Sequence, residues 1–561
     1  MSNLRDRKPG VSVDARVLRQ PLVERLAQLI GPLLLLAVVV APRLLVASRQ
    51  GLWADEVFSL AMATGHSLEH PAALATASMG DYVEAARPQN REAIAVYLRH
   101  DVPAASPHRV VRAVLRSDTS PPLYYLGLWG WTLIFGTTDW SIRALSIAWA
   151  IACVPLIWSL AREIGGRRAA ILSVILFALD PAAIFFSTEA RMYSMVWFMA
   201  LATGWLTLRL HRLGLRLPIL LLWTLSAASG LLTHYFFAFV LCALAGWLII
   251  RPGKMPRWAL LGASAAVVLL VLPWFRNLGV SLNAWRVTQG WLEERPYHYH
   301  LSLAVWGMFW AYFSPAGPWG GRGDALWLGY VGAIGAALIA AGCGKPRQSV
   351  TEYSVPLFLW LAAAIMGPVA FDLLKHTYAT SIPRYALAGL PAAIILVAVL
   401  AASVERAGAR WLCVGLLLLG WTGGLRRLHA TRSRNNESWR ETAQMVDTLA
   451  SPGSVVVIHS IPSGVIGVSR YMRSSAPVAG WVQQLGLRKV PKDIASLAGG
   501  YRRVILVVTH EVGAPTPERQ WLDHNARPAS AGIIRDNARI YVYEPLTGNF
   551  FPDSTPGFTG Q

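Results

Sequence analysis

This sequence predicts a polytopic α-helical membrane protein with a large first outer loop and a small C-terminal α/β domain. Three observations predict it. The composition is 54% hydrophobic and 15% charged, with a mean hydropathy of +0.41, whereas a soluble globular protein carries about 25% charged residues. Apolar runs of about 16 to 22 residues recur along the chain, close to the length a helix needs to cross hydrocarbon. Beyond residue 430 the pattern changes to short β-branched runs alternating with helical spacing.

The elements follow in order. Residues 1–26 form a basic tail preceding a long apolar run, which reads as an uncleaved signal anchor because many spans follow. The runs 27–47, 141–161, 169–187, 191–210, 217–233, 235–250, 257–275, 325–342, 353–373, 386–403 and 410–425 read as spans. The runs 121–136 and 301–314 are apolar but ambiguous, giving about 11 to 13 spans. Loop charge favours the lower count. With neither ambiguous run spanning, Arg162/Arg167/Arg168, Arg209/Arg212/Arg216, Arg251/Lys254/Arg257, Lys345/Arg347 and Arg406/Arg410 share one side with the basic N-terminus. The positive-inside rule makes that side cytoplasmic. Either odd count puts the C-terminus outside, with the loop of about 49–120.

In the tail, Ser438–Ala450 has helical spacing and stops at Pro452-Gly453, and Ser454–Ile458, Arg503–Val508 and Arg539–Tyr543 read as strands. Strand and helix alternate, so 430–545 is a small α/β domain, without the Gly-x-Gly-x-x-Gly loop of a dinucleotide site. Residues 546–561, rich in Pro, Gly and Thr, read as a disordered tail.

Several function classes lack support. The net charge of +20 sits mainly in short loops, where it sets topology, so no nucleic-acid partner is expected; membrane lipids and lipid phosphates suit it better. Cys153, Cys242, Cys343 and Cys413 lie in or beside apolar runs without a C-x-x-C pair and read as small hydrophobes. No Walker loop, His-Glu-x-x-His or Gly-x-Ser-x-Gly occurs.

The chemistry-bearing residues cluster at predicted outer turns. Asp55-Glu56 directly follows the first span, reading either as a general base with its neighbour or as a solvated loop start. Asp118 precedes Pro121-Pro122 and Tyr124, either a helix cap or a group facing the same cavity as Asp55. Arg143, just inside a span, is a phosphate clamp or a snorkelling arginine. Glu189 and Arg191 occupy the next outer turn, as a local pair or an anion site; His234-Tyr235 occupy the one after, where a polar anchor outweighs a metal ligand. Lys375-His376 and Arg384-Tyr385 lie at the last outer turn. Cations at one depth suggest either a lipid-phosphate site or simple head-group contact.

Taken in order, Trp53-Ala-Asp55-Glu56, Ser120-Pro-Pro-Leu-Tyr-Tyr125, Arg143-Ala-Leu-Ser, Ala161-Arg-Glu-Ile-Gly-Gly-Arg-Arg-Ala169, Ser187-Thr-Glu-Ala-Arg-Met-Tyr193 and Pro383-Arg-Tyr385 resemble the GT-C membrane glycosyltransferases. The likeness is to bacterial relatives of the protein O-mannosyltransferases and of the aminoarabinose lipid A transferases, over about Leu52–Leu390. It implies a GT-C-like transmembrane glycosyltransferase domain over 27–425 in a bacterial inner membrane, with 49–120 as a first periplasmic loop and 430–545 periplasmic. It implies a polyprenyl-phosphate-sugar donor and an envelope acceptor (lipid, glycan or protein). It implies Asp55 as the base with Glu56 as partner, and Arg143, Arg191 and Arg384 at recurring basic positions. Ser120 stands where mannosyltransferases often have His, which weakens the case for a protein acceptor. Transfer would invert the anomeric centre with one base, of a hexosyl or pentosyl group. No cofactor is assigned, and a divalent cation on first-loop carboxylates stays open. The alternatives are a transporter or lipid flippase, which normally shows repeats and charges deep in its spans, or a non-catalytic envelope assembly protein.

Overall fold

The computed structural model describes residues 22–118, 120–277, 279, 292–296, 299–310, 312, 348–431, 437–509, 514–530, 532–548 and 550. Among these, five helices are long and apolar enough to cross a membrane: Asp139–Leu179, Arg257–Phe275, Glu352–Lys375, Pro383–Ser403 and Ala407–Ala430. A sixth candidate is the pair Leu33–Arg49 and Ala54–Ala63, bent by 95°. Helices Tyr193–Leu213, Leu217–Leu231 and Phe237–Ile250 complete the helical body at the positions expected from hydropathy. The expected span 325–342 lies outside the described residues.

Three boundaries differ from the sequence expectation. The expected loop after residue 161 is instead a break inside Asp139–Leu179, where Gly166 adopts φ 79° and ψ −173°, a left-handed φ that favours glycine. The expected span 169–187 stops at Leu179, because Asp180 turns out of the helix and its Oδ1 accepts from the Ala183 amide at 2.6 Å, capping a new helix, Pro181–Ser187. The ambiguous run 121–136 becomes helix Leu123–Phe135. At 1.5 Å per residue it reaches only ~20 Å, short of a ~30 Å hydrocarbon core.

The C-terminal body is a sheet of six strands: β1 (Ser454–His459), β2 (Val478–Trp481), β3 (Arg503–Thr509), β4 (Arg527–Pro528), β5 (Ile533–Arg535) and β6 (Ala538–Glu544). Their order is β2-β1-β3-β6-β4, with β5 also on β6; β2, β1 and β3 run parallel and β6 antiparallel to β3. Residues of β1 and β3 alternate between two cores. Val456, Ile458, Ile505 and Val507 join the core shared with the helical body. Val455, Val457, Leu506 and Val508 face Ile494, Leu497 and Leu522 on the other side. Burial on both faces explains the unbroken apolar runs. Phe550 joins the second core and exchanges backbone hydrogen bonds with Gly500 and Tyr501, so this part of the expected disordered tail is packed on the sheet body; residues 551–561 lie outside the described residues.

The sheet body is anchored on the helical body. Helix Pro462–Tyr471 lies against Ala54–Ala63 and Arg91–Ala95. Gln89 of the first loop exchanges two backbone hydrogen bonds of 2.8 Å with Val478, adding a bridge to the free edge of β2. Asp139 gathers Arg440 at 2.9 Å, Arg470 at 3.0 Å and the Tyr471 hydroxyl at 2.5 Å.

Candidate active site

The carboxylate pair sits where the first helix turns sharply. Trp53 is extended, at φ −113° and ψ 176°, and starts helix Ala54–Ala63, placing Asp55 and Glu56 in its first turn. Carboxylates are favoured there, beside unpaired backbone amides. One of those amides, Ala54 N, donates to Glu437 Oε2 at 2.6 Å, so the sheet body supplies the cap of the helix that carries Asp55.

The two carboxylates then part. Glu56 turns inward and is fully buried against the fully buried Arg143. Arg143 donates to it through Nε at 2.7 Å and Nη2 at 2.5 Å, and Ala190 N adds a third bond at 3.0 Å. The remaining Arg143 donors reach the carbonyls of Ala47, Gln50 and Gly51 at 2.9, 2.6 and 2.8 Å. This guanidinium thus fastens the end of the first helix and the Ala54–Ala63 helix to Asp139–Leu179, with its donors engaged inside the protein.

Asp55 turns the other way and is partly exposed, its side chain at 22%. Arg384 Nη1 donates to its Oδ2 at 3.2 Å, and Arg191 Nε lies 3.8 Å from the same oxygen. Arg191 Nη1 also reaches Asp118 Oδ2 at 3.0 Å, the Tyr125 hydroxyl at 2.9 Å and Ser59 Oγ at 3.5 Å. Asp118 accepts from Ser120 N at 3.0 Å and from Tyr125 at 2.6 Å, so it holds a local turn and belongs to the cluster; it does not cap helix Leu123–Phe135, whose N-cap is Pro122. Burial pushes its carboxyl up, but Arg191 and the hydrogen bonds from Tyr125 and Ser120 outweigh this and hold it at about 2. The cluster therefore brings together Asp55, Asp118, Arg191 and Arg384, from four segments of the chain.

Arg384 is presented by irregular backbone, a 3-10 segment at Pro383–Gly389 before helix Leu390–Ser403. Its carbonyls need partners at membrane depth. Trp197 Nε1 donates to Leu387 O at 2.8 Å, Trp360 Nε1 to Ala388 O at 2.7 Å, and the Tyr312 hydroxyl to Ala386 O. The guanidinium stands 5.8 Å from the Trp53 ring and 5.9 Å from that of Tyr385, within cation–π reach.

The other sequence candidates take surrounding places. Tyr124 is buried beneath the cluster, its hydroxyl 2.9 Å from Ser146 Oγ, which itself donates to Arg191 O at 3.1 Å. Glu189 is buried, and its carbonyl accepts from Arg191 N at 2.7 Å. His234 is buried; burial, then the charge of Arg191, pushes it down to about 4, so it is neutral at pH 7. Its ring centroid lies 6.4 Å from that of Tyr385, which stacks on Phe236 at 5.0 Å. The Tyr235 hydroxyl accepts from Trp274 Nε1 at 2.9 Å. Lys375 stays exposed, while Asp372 organises that turn by accepting from Thr377, Ala379 and Thr380. Sequence reasoning missed Ser59, Glu437 and the Asp139 hub; only the position of Asp139 at a helix start was visible locally.

The residues around Asp55 do not fit a divalent cation. Its nearest charged neighbours are two guanidiniums, and the nearby carboxylates of Glu56 and Asp118 already face Arg143 and Arg191. Among the described residues no group of three or more His, Cys, Asp or Glu gathers as a metal site would.

Residues 119–276 match the family model described as dolichyl-phosphate-mannose-protein mannosyltransferase, which bears out the resemblance over that stretch. No curated protein sequence matches the chain. Among solved structures, ArnT from Cupriavidus metallidurans in the apo state is 12% identical with a TM-score of 0.49, the alignment covering 86% of this chain and 95% of that one. The same protein bound to undecaprenyl phosphate gives 13% identity, coverage of 89% and 98%, and a TM-score of 0.46. The oligosaccharyltransferase AglB from Archaeoglobus fulgidus, in complex with an inhibitory peptide and a dolichol-phosphate, gives 10%, coverage of 84% and 69%, and 0.43.

Proposed function

We propose that this chain is an inverting GT-C-type glycosyltransferase of a bacterial inner membrane. It moves a sugar from a polyprenyl-phosphate carrier to a hydroxyl of an envelope acceptor on the periplasmic face. The observation that carries the reading is the partly exposed Asp55 carboxylate set between the guanidiniums of Arg384 and Arg191, at 3.2 and 3.8 Å. The family match over 119–276 supports it, because that family's description names a polyprenyl-type phosphate sugar as donor. The low-identity structural likenesses add no weight.

In this reading Asp55 takes the proton of the acceptor hydroxyl as its oxygen attacks the anomeric carbon. The carbon–oxygen bond to the lipid phosphate breaks on the opposite face, and its electron pair leaves with the phosphate. Arg384 and Arg191 offset the charge that develops there, which is worth more in a partly dehydrated site than in water. Attack opposite the leaving group inverts the centre and needs one carboxylate, which suits the inward turn of Glu56. Glu56 and Arg143 become a strut that sets the angle of the Asp55 helix, instead of the base's partner and a phosphate clamp. Asp118 and Tyr125 orient Arg191, and Tyr124, Glu189, His234, Tyr235 and Tyr385 form the walls.

The test is transfer of label from polyprenyl-phosphate sugars to envelope extract by nanodisc-embedded wild type and Asp55→Asn. Transfer by wild type that the variant lacks, at equal folding, supports the reading. Equal transfer by both removes Asp55 as base. The transporter and assembly readings have no specific observation in their favour.

A further inference from the structure

A charged cavity lies apart from the Asp55 cluster, none of whose residues line it. It has a volume of about 380 Å³ and is bounded by helix Arg91–Ala95 of the first loop, the turn between Leu123–Phe135 and Asp139–Leu179, and helix Pro462–Tyr471. Small-molecule sites occupy about 300–1,000 Å³. Its charged lining is Arg91, Arg99 and Arg470 against the single carboxylate of Glu92, with Thr137 and Thr138 beside them.

Two of these guanidiniums are held in place by the protein. Arg470 donates to Asp139 through Nε at 3.0 Å and to Thr137 O through Nη2 at 2.7 Å. Arg91 donates to Glu92 at 2.8 Å and to the Met472 carbonyl. Arg99 is exposed and forms no ion pair among the described residues. Arg91 is paired with Glu92 and Arg470 with Asp139, so the positive charge of the lining that is left over is that of Arg99. Guanidiniums lining one space suit phosphate oxygens, which such groups can bind bidentately.

The rim indicates how such a ligand is presented. Leu133, Ile134 and Phe135, at 44, 76 and 56% exposure, and Trp140, at 44%, flank Thr137 and Thr138 in the chain. An apolar, Trp-bearing rim beside a cationic cavity matches the boundary between hydrocarbon and head groups. We propose that this cavity binds a phosphate group, delivered as the head group of an anionic membrane lipid whose chains lie along Leu133–Trp140. The site does not depend on the reaction assigned to Asp55.

The test uses the full chain in phosphatidylcholine nanodiscs containing phosphatidylglycerol, with bound lipid counted by native mass spectrometry after release. Wild type retains phosphatidylglycerol, and Arg91→Ala/Arg99→Ala retains it about tenfold less, as expected for losing charge-assisted phosphate contacts. Arg91→Lys/Arg99→Lys recovers part of the retention, and Arg216→Ala, outside the cavity, retains as wild type does. Where the double alanine variant fails to fold, Arg99→Ala alone replaces it. A second arm adds glycerol phosphate to discs of phosphatidylcholine alone, read by phosphorus NMR. Binding of glycerol phosphate that depends on the same arginines, without lipid retention, assigns the cavity to a soluble phosphate. If neither ligand distinguishes wild type from the alanine variants, the proposal is overturned.

Discussion

Replacing Arg143 by alanine separates two roles for one residue. Its guanidinium is fully buried, makes two bonds to Glu56 and reaches three backbone carbonyls. Removing it leaves the Glu56 carboxylate buried with the Ala190 amide still donating to it, and frees the carbonyls of Ala47, Gln50 and Gly51 from their guanidinium partner. Breaking one side of a buried pair typically costs about 3–5 kcal/mol, because the remaining charge stays out of water. The expected result is a large drop in thermal stability in detergent, followed by intrinsic tryptophan fluorescence. Arg143→Met/Glu56→Leu should recover much of it, since both charges go together and volume is roughly kept. A phosphate clamp behaves differently: Arg143→Ala would keep wild-type stability and lose donor affinity alone. That outcome would refute the strut.

Three further outcomes are expected. Arg384→Ala should lower transfer by about 10²-fold or more, as loss of one preorganised charge contact at a leaving group does, with the fold intact by circular dichroism; unchanged kinetics would remove it from the site. Asp139→Asn weakens an anchor shared by Arg440, Arg470 and Tyr471, so limited proteolysis should release the sheet body sooner than in wild type, and equal cleavage rates would show that the anchor is dispensable. Burial pushes His66 down to about 4 although Asp101 lies 3.5 Å away, itself paired with Arg109 at 2.6 Å. Its folded pKa lies below the unfolded value near 6.5, so the folded loop binds fewer protons. Its contribution is present above pH 6.5 and lost as pH falls toward 4. Protection factors around 64–82, which correct for the intrinsic slowing of exchange at lower pH, should therefore fall between pH 7 and pH 5 in wild type more than in His66→Gln, and an equal fall in both would contradict this.

Much of the fold was legible because hydrocarbon burial writes long apolar runs and a two-faced sheet writes short ones. Arg257–Phe275 and Ser454–His459 fall where hydropathy places them. Strand Val478–Trp481 did not show, since Val-Ala-Gly-Trp is short and carries a glycine. The break at Asp180 was hidden inside an apolar run because its cap is a single side chain. In the site, Asp55 stood out by its position after a span. The parting of Asp55 from Glu56 did not, because helix rotation and partners far along the chain decide it: Arg143 lies 87 residues from Glu56, and Arg384 lies 329 from Asp55. Glu437 caps the Asp55 helix from 383 residues away, a relation that no local pattern announces.

The role of Asp55 as the base is tested most directly by one assay. Wild type and Asp55→Asn, matched for folding and insertion in nanodiscs, are given labelled polyprenyl-phosphate sugar and envelope extract, and the initial rate of label transfer is measured. Loss of a general base typically costs about 10²–10⁴-fold, and a fall of that size in the variant, with carrier binding retained, is the predicted result. Transfer by Asp55→Asn at the wild-type rate would contradict it.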